Sequence, residues 1–262
     1  MGLFGKKSAK NKNFLSGEHD NQKTLHKNLE FTATEQYKLI RANLDFTLPP
    51  DEKCPVIGVT SSMRSEGKST TSVNLSYVFA EKGRKVLLID ADMRIPSIAK
   101  KLDIDRVPGL SDLLRGQGME IADIKPYLLD NWHILPSGEI PPNPSELLGS
   151  RRMQRLLDKL KEIYDYIIID LPPVNIVSDA ISISGLISGM IVVVREEYTE
   201  KKELERCFRQ LKLSNVNILG CVMNSTKSGG GSYGKYKKYR YYKYYRYYQS
   251  RDYQSTPESD KK

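Results

Sequence analysis

Six short aliphatic runs punctuate the chain: PVIGVT (Pro55–Thr60), KVLLIDAD (Lys85–Asp92), HILPSG (His133–Gly138), YDYIIIDLPP (Tyr164–Pro173), GMIVVV (Gly189–Val194) and NILGCVMN (Asn217–Asn224). Most are apolar at successive positions, as in strands buried on both faces of a sheet. Helical period fills the gaps. STTSVNLSYVFAEKG (Ser69–Gly83) predicts a helix closed by its glycine. SELLGSRRMQRLLDKLKEIY (Ser145–Tyr164) and TEKKELERCFRQLKL (Thr199–Leu213) predict two more. Upstream, EQYKLIRANLDF places Leu39, Ala42, Asn43 and Phe46 at helical spacing, with Glu35, Lys38 and Arg41 on another face. Apolar strands alternating with amphipathic helices predict an α/β fold, a mostly parallel sheet flanked by helices. In such sheets ligands bind beyond the carboxyl ends of the strands.

The ends of the chain read differently. Residues 1–28 are rich in Lys and Asn, and residues 227–262 open on a Gly/Ser linker and run into YGKYKKYRYYKYYRYY. The pattern predicts a single domain over 29–226 between a disordered basic N-terminal segment (1–28) and a tyrosine-rich tail (227–262). Charge follows the same division. Of the net +9, residues 1–27 carry +4 and residues 227–262 carry +7, so the part between is slightly acidic. The basicity belongs to the ends and says little about the fold. Cys54, Cys207 and Cys221 lie far apart with no CxxC pair, which argues against a disulfide framework or a zinc site. The start MGLFGKKSAK lacks a signal-peptide core and, with Lys6, the myristoylation pattern. The longest uncharged apolar run, Ala180–Val194, has 15 residues against the ~20 a spanning helix needs. A cytoplasmic protein is expected, with any membrane association made through a partner.

Candidate chemistry lies at the strand ends. SSMRSEGKST (Ser61–Thr70) sits between a predicted strand and a predicted helix, with Ser62 at the usual first glycine of GxxxxGK[ST]. Backbone amides of Met63, Arg64, Ser65, Glu66, Gly67 and Lys68 can cradle phosphates at the helix N-terminus. Lys68 would reach the terminal phosphates, Ser69 would bind Mg²⁺ through its hydroxyl, and Thr70 follows in the same turn. Asp170 ends one strand; Asp90 and Asp92 end another and, two apart, point the same way. A lone strand-end Asp is commonly a turn former, but three converging on one GKST loop suit an Mg-nucleotide and a carboxylate that takes a proton from an attacking hydroxyl. We assign that role to Asp92, although the spacing does not divide Asp90 from Asp92. Met63, Met93 and Met223 are read as packing residues and His133 as structural.

On these residues the chain resembles the bacterial tyrosine kinases, in particular the separate kinase of Gram-positive capsule and exopolysaccharide systems, over about residues 30–250. The shared features are the P-loop ending EGKST, a second Walker-type motif LLIDADMR, the Walker B motif IIIDLPP, the segment PSGEIPPNPSELL and the C-terminal tyrosine cluster. The resemblance implies a P-loop NTPase fold and ATP-dependent autophosphorylation at Tyr233, Tyr236, Tyr239, Tyr241, Tyr242, Tyr244, Tyr245, Tyr247 and Tyr248. Around Mg-ATP it implies Lys68, Asp90, Asp92 and Asp170 as catalytic groups, Ser69, Asp90 and Asp170 toward the metal, and Asn224 among the nucleotide contacts. It implies a ring-shaped homo-oligomer, the octamer among its sizes, through an E-x2-R-x2-R helix that reads Glu35, Lys38, Arg41 here. A transmembrane activator of the polysaccharide co-polymerase type, a cognate tyrosine phosphatase and a position at the inner face of the cell membrane are implied too. Two departures stand out: Lys38 replaces an arginine, and Arg64-Ser65 replaces the Pro-Gly before EGK. Two rival readings remain. One is a spatial-regulator ATPase of the MinD/ParA kind, which would carry a lysine where Met63 stands. The other makes the tail a nucleic-acid binder, aromatics stacking on bases, but this leaves the GKST loop unexplained.

Overall fold

The computed structural model describes residues 31–226; residues 1–28 and the tyrosine cluster lie outside the described part. A seven-stranded sheet runs in the order β3-β4-β2-β5-β1-β6-β7. Its strands are β1 (Val56–Ser61), β2 (Val86–Asp90), β3 (Pro126–Tyr127), β4 (Leu129–Leu135), β5 (Tyr166–Asp170), β6 (Gly189–Arg195) and β7 (Ile218–Asn224). All pairings are parallel except β3 with β4. The antiparallel β3 closes one edge with two residues, too short for the hydrophobic pattern to reveal.

The central strands β1, β2 and β5 are covered on both faces, which is why they read as unbroken aliphatic runs. Along β2, Leu87 and Ile89 enter one core layer while Val86 and Leu88 enter the other. The helices are α1 (Phe31–Thr47), α2 (Lys68–Glu81), α3 (Ile98–Leu102), α4 (Leu110–Arg115), α5 (Pro144–Leu148), α6 (Arg151–Lys161), α7 (Asp179–Ser182) and α8 (Lys201–Leu213). The helical pattern over Ser145–Tyr164 is two helices rather than one. It breaks at Gly149-Ser150, where the Ser150 hydroxyl accepts the Met153 amide and starts α6 afresh. In α6, Met153, Leu156, Leu157 and Leu160 form the buried stripe expected of an amphipathic helix.

Helix α1 lies where expected but presents a different face. Leu44 is its buried residue, Tyr37 and Ile40 pack beside it, and Phe46 is 90% exposed with Leu39 also outward. Arg41 turns toward α2 and donates to the Val78 carbonyl at 2.6 Å. Hydrophobic spacing alone missed this, because aliphatic residues occur on both sides of α1. Met93 is buried as expected, whereas Met223 on the edge strand β7 is exposed. His133 is structural: its Nδ1 meets the Tyr164 hydroxyl at 2.6 Å. No helix among the described residues is long and apolar enough to cross a membrane.

Candidate active site

The loop between β1 and α2 is held by a carboxylate inside it. Glu66 is fully buried; its Oε1 accepts the hydroxyls of Ser62 (2.8 Å) and Thr199 (2.5 Å), and its Oε2 accepts the Met63 amide at 3.0 Å. Ser62, where the motif usually has its first glycine, therefore serves as a hydrogen-bond donor within the loop. The same bonds correct one expectation: the Met63 amide is committed to Glu66 rather than offered to a phosphate. Gly67 has φ 97, and a Cβ there would collide with Asn224 Nδ2, so the close approach requires glycine. Asn224 donates to the Glu66 carbonyl at 2.9 Å and so buttresses the loop from β7.

Ser65 takes a left-handed conformation, φ 63, at the position where the related pattern has glycine. Its carbonyl accepts Arg195 Nη1 at 3.1 Å, a bond to backbone that any residue could keep. Ser65→Gly should therefore raise stability by about 0.5–1 kcal/mol, the left-handed penalty less the entropy of an added glycine. The urea midpoint at unchanged slope reads this out, and a lower midpoint would contradict it.

Two carboxylates and a hydroxyl converge on Lys68. Its Nζ lies 2.8 Å from Asp92 Oδ2, 3.3 Å from Asp170 Oδ2 and 3.2 Å from Ser69 Oγ. Burial disfavours the Lys68 ammonium, but Asp170 and Asp92 outweigh it and hold its pKa above the ordinary lysine value. Asp170 also accepts Ser72 Oγ at 3.0 Å. Burial raises the pKa of Asp170, and Lys68 opposes that rise. Asp90, like Asp170, is fully buried. Its oxygens accept the amides of Asp92 (3.3 Å), Ser97 (3.2 Å) and Ile98 (3.1 Å), and burial followed by the Asp170 charge pushes its pKa up to about 7. Asp90 thus shapes the segment carrying Asp92, while Asp92 and Asp170 both contact the Lys68 ammonium.

The ammonium rests among two carboxylates and a hydroxyl, the oxygen set an Mg²⁺ ion attached to phosphates would use. No group of three His, Cys, Asp or Glu suited to a metal occurs among the described residues. Beside it opens a cavity of about 670 Å³. Its lining includes Arg64, Ser65, Gly67, Lys68, Ser69 and Thr70 from the loop, Asp92 to Ser97 in part from the end of β2, and Pro172 to Val177 in part from the end of β5.

The sequence reading missed a second ring of residues. Arg94 forms two bonds, 2.9 and 3.0 Å, to the buried carboxylate of Asp179, which also accepts the Ser145 hydroxyl. This ties LLIDADMR to PNPSELL across separate elements and fixes the loop that presents Asp92. Asp179 opens α7 within a bland SDAISIS stretch, so nothing local marked it. The Gly of PSG, Gly138, has φ 80, and a Cβ there would run into Asp112 Oδ2, so that motif too is a close-approach turn.

Glu35 and Lys38 pair at 3.2 Å on α1, away from the cavity lining. Tyr233 to Tyr248 lie outside the described residues. The model of the AAA domain family matches residues 56–219. The tyrosine-protein kinase YwqD of Bacillus subtilis (strain 168) is 37% identical over 195 residues, 74% of this chain and 81% of that protein. A putative tyrosine-protein kinase, CapB of Staphylococcus aureus, is 32% identical over 200 residues, 76% of this chain and 87% of its own. Among solved structures, the chimerical protein CapA2B2 superposes with a TM-score of 0.70 at 35% identity, covering 73% of this chain and 84% of that one. The septum site-determining protein MinD of Pyrococcus horikoshii OT3, complexed with Mg-ADP, reaches a TM-score of 0.57 at 28% identity, covering 68% and 72%.

Proposed function

This chain belongs to the bacterial tyrosine-protein kinases, and we propose that the phosphate it transfers from Mg-ATP goes to its own C-terminal tyrosines. The chain is a protein-tyrosine kinase, converting ATP and a protein tyrosine to ADP and phosphotyrosine. The observation that carries the reading is the triple contact of Lys68 with Asp92, Asp170 and Ser69 beside a phosphate-sized loop. Lys68 steadies the terminal phosphates, and the amides of Arg64 to Lys68 cradle the chain of phosphates. Ser69 and Asp170 would hold Mg²⁺, with Asp90 beside Asp170 at the end of the adjacent strand β2. When bound, the metal neutralises charge on the phosphate oxygens. Once a nucleotide draws the ammonium toward its phosphates, Asp92 Oδ2 is released to accept the phenol proton. A tyrosine of pKa ~10 is protonated at neutral pH, so an acceptor for that proton is needed.

The autokinase acts in capsular or extracellular polysaccharide synthesis and export, with a transmembrane activator of the co-polymerase type and a phosphatase that resets the tail. The transmembrane activator implies a location at the inner face of the cell membrane. A MinD-like ATPase shares the fold, but Met63 stands where that class carries lysine, and the tyrosine cluster has no place in it. Incubating the full chain with Mg-ATP, with and without the activator's cytosolic segment, tests the reading. Phosphotyrosine should map to Tyr233–Tyr248, and its absence under both conditions would end the proposal.

The homo-oligomer uses the outward face of α1. Phe31, Leu39 and Phe46 are exposed there, beside the Glu35–Lys38 pair, whereas Arg41 is occupied by Val78. Changing Leu39 and Phe46 to Ser should reduce the mass in light scattering to a monomer without loosening α1 from α2. An unchanged mass would make this a solvated face.

A further inference from the structure

We propose that Ile95 and Ile176 form an apolar clamp for the ring of the acceptor tyrosine, and so set the preference for tyrosine over aliphatic hydroxyls; this rests on the kinase reading above. Both side chains are exposed, 52% and 39%, yet both line the wall of the charged cavity. Single exposed aliphatic residues are ordinary, but two that line one charged cavity give it apolar surface that its polar groups do not. The two residues lie on loops that follow the adjacent strands β2 and β5, and both line this cavity.

Topology decides what occupies that opening. The loop after β1 binds the phosphates, and Lys68 leans from it toward β2 and β5, where Asp92 and Asp170 lie. The transferring phosphate is therefore at the β2/β5 side. The rest of the nucleotide extends the other way, toward β6 and β7, where Arg195 reaches the loop and stacks on Tyr198 with 5.0 Å to the ring centroid. The acceptor must approach the phosphate opposite the leaving group, and that approach passes between Ile95 and Ile176. Asp92 Oδ1 accepts the Ile95 amide at 3.1 Å, so the clamp and the proposed base belong to one turn. A ring held between the two side chains delivers its hydroxyl beyond them, toward Asp92. The hydroxyl of serine, on a single carbon, cannot fill the clamp and reach the phosphate together.

The occupant is the tyrosine-rich segment of this chain. β7 ends at Asn224, which touches the phosphate loop, and Tyr233 follows nine residues later. That length extends to at most ~30 Å, and the cavity opens beside the same loop that Asn224 touches. The segment Tyr233–Tyr248 has no aliphatic residue, so aromatic rings are all it can offer an apolar clamp.

The test uses the full chain and a synthetic peptide of residues 233–248. In Ile95→Ala/Ile176→Ala, the KM for the peptide should rise about tenfold or more, because two truncated side chains no longer bury apolar surface against the ring, with kcat changed far less. The double leucine variant should restore it. A second readout needs no chemistry: a peptide with every tyrosine replaced by phenylalanine should bind the wild type in the presence of a non-hydrolysable ATP analogue, and bind the alanine variant at least tenfold more weakly. Equal binding of the phenylalanine peptide to both proteins would overturn the clamp, even with tyrosine transfer intact. Absence of tyrosine transfer in the wild type would instead overturn the kinase reading, and the binding comparison would still decide whether the clamp exists.

Discussion

Lys68→Met should lower phosphotyrosine formation by about 10³-fold or more, since the transfer depends on charge neutralisation and positioning with little covalent help from the protein. The structure adds a second consequence. Lys68 is the cation between Asp92 and Asp170, and its side chain is only 12% exposed. Removing one member of a buried ion pair costs ~3–5 kcal/mol, because the partner is left charged and unsolvated. The nucleotide-free variant should therefore unfold at lower urea, with the loss reduced where Asp170 takes up a proton. Lys68→Arg separates the two effects. It keeps a cation among the carboxylates and should recover most of the stability, while its planar guanidinium cannot replace an ammonium at the phosphates and activity stays low. Wild-type rates in Lys68→Met would remove the kinase assignment. Wild-type stability would mean that the Asp92–Lys68–Asp170 contacts do not persist in solution.

Strands β1, β2, β5 and β6 were legible because they are buried on both faces, and an apolar run of five or six residues ending in a polar one has few other uses. β2 and β5 illustrate it: VLLID and IIID give both the strand and the position of its terminal carboxylate. The face of α1 was not legible. Leu39 and Phe46 are as apolar as Ile40 and Leu44, and what decides between them is the surface of α2, including a carbonyl at Val78 that draws Arg41 inward. A helix with aliphatic residues on two sides has no single face until its neighbour is known.

The site divides in the same way. Lys68, Ser69, Asp92 and Asp170 stood out because a local motif or a strand end marks each one, and the fold brings them within hydrogen-bond distance. Glu66 looked like filler between Ser65 and Gly67. Its role needs Thr199, which is 133 residues away in the chain. Asp179 likewise needs Arg94, 85 residues away. Residues that hold a site in place are joined by contacts with no fixed spacing, and local pattern carries no record of them. Asp90 was visible as a strand-end carboxylate, but its backbone bonds were not. Its spacing from Asp92 said that both point to one side, but not that backbone amides at 92, 97 and 98 fill its oxygens.

Asp92→Asn should separate the proton acceptor from the binding site. The amide keeps the size of the side chain and an oxygen for the Ile95 amide, and Lys68 retains Asp170 as a partner. Affinity for Mg-ATP should change only a few-fold, whereas turnover should fall by about 10²–10⁴, the usual contribution of a positioned base. The pH profile distinguishes this from simple disruption. Without Asp92 the phenol must lose its proton to solvent, so the residual rate should rise about tenfold per pH unit as the phenolate fraction grows toward pKa ~10. The wild-type rate, with a proton acceptor held in place, should stay nearly level over the same range. A variant whose loss is equally large at every pH would make Asp92 a positioning residue for Lys68 rather than the base. A variant with unaltered turnover would move the role to another group, and Asp170, 3.3 Å from the same ammonium, is the carboxylate that could take it.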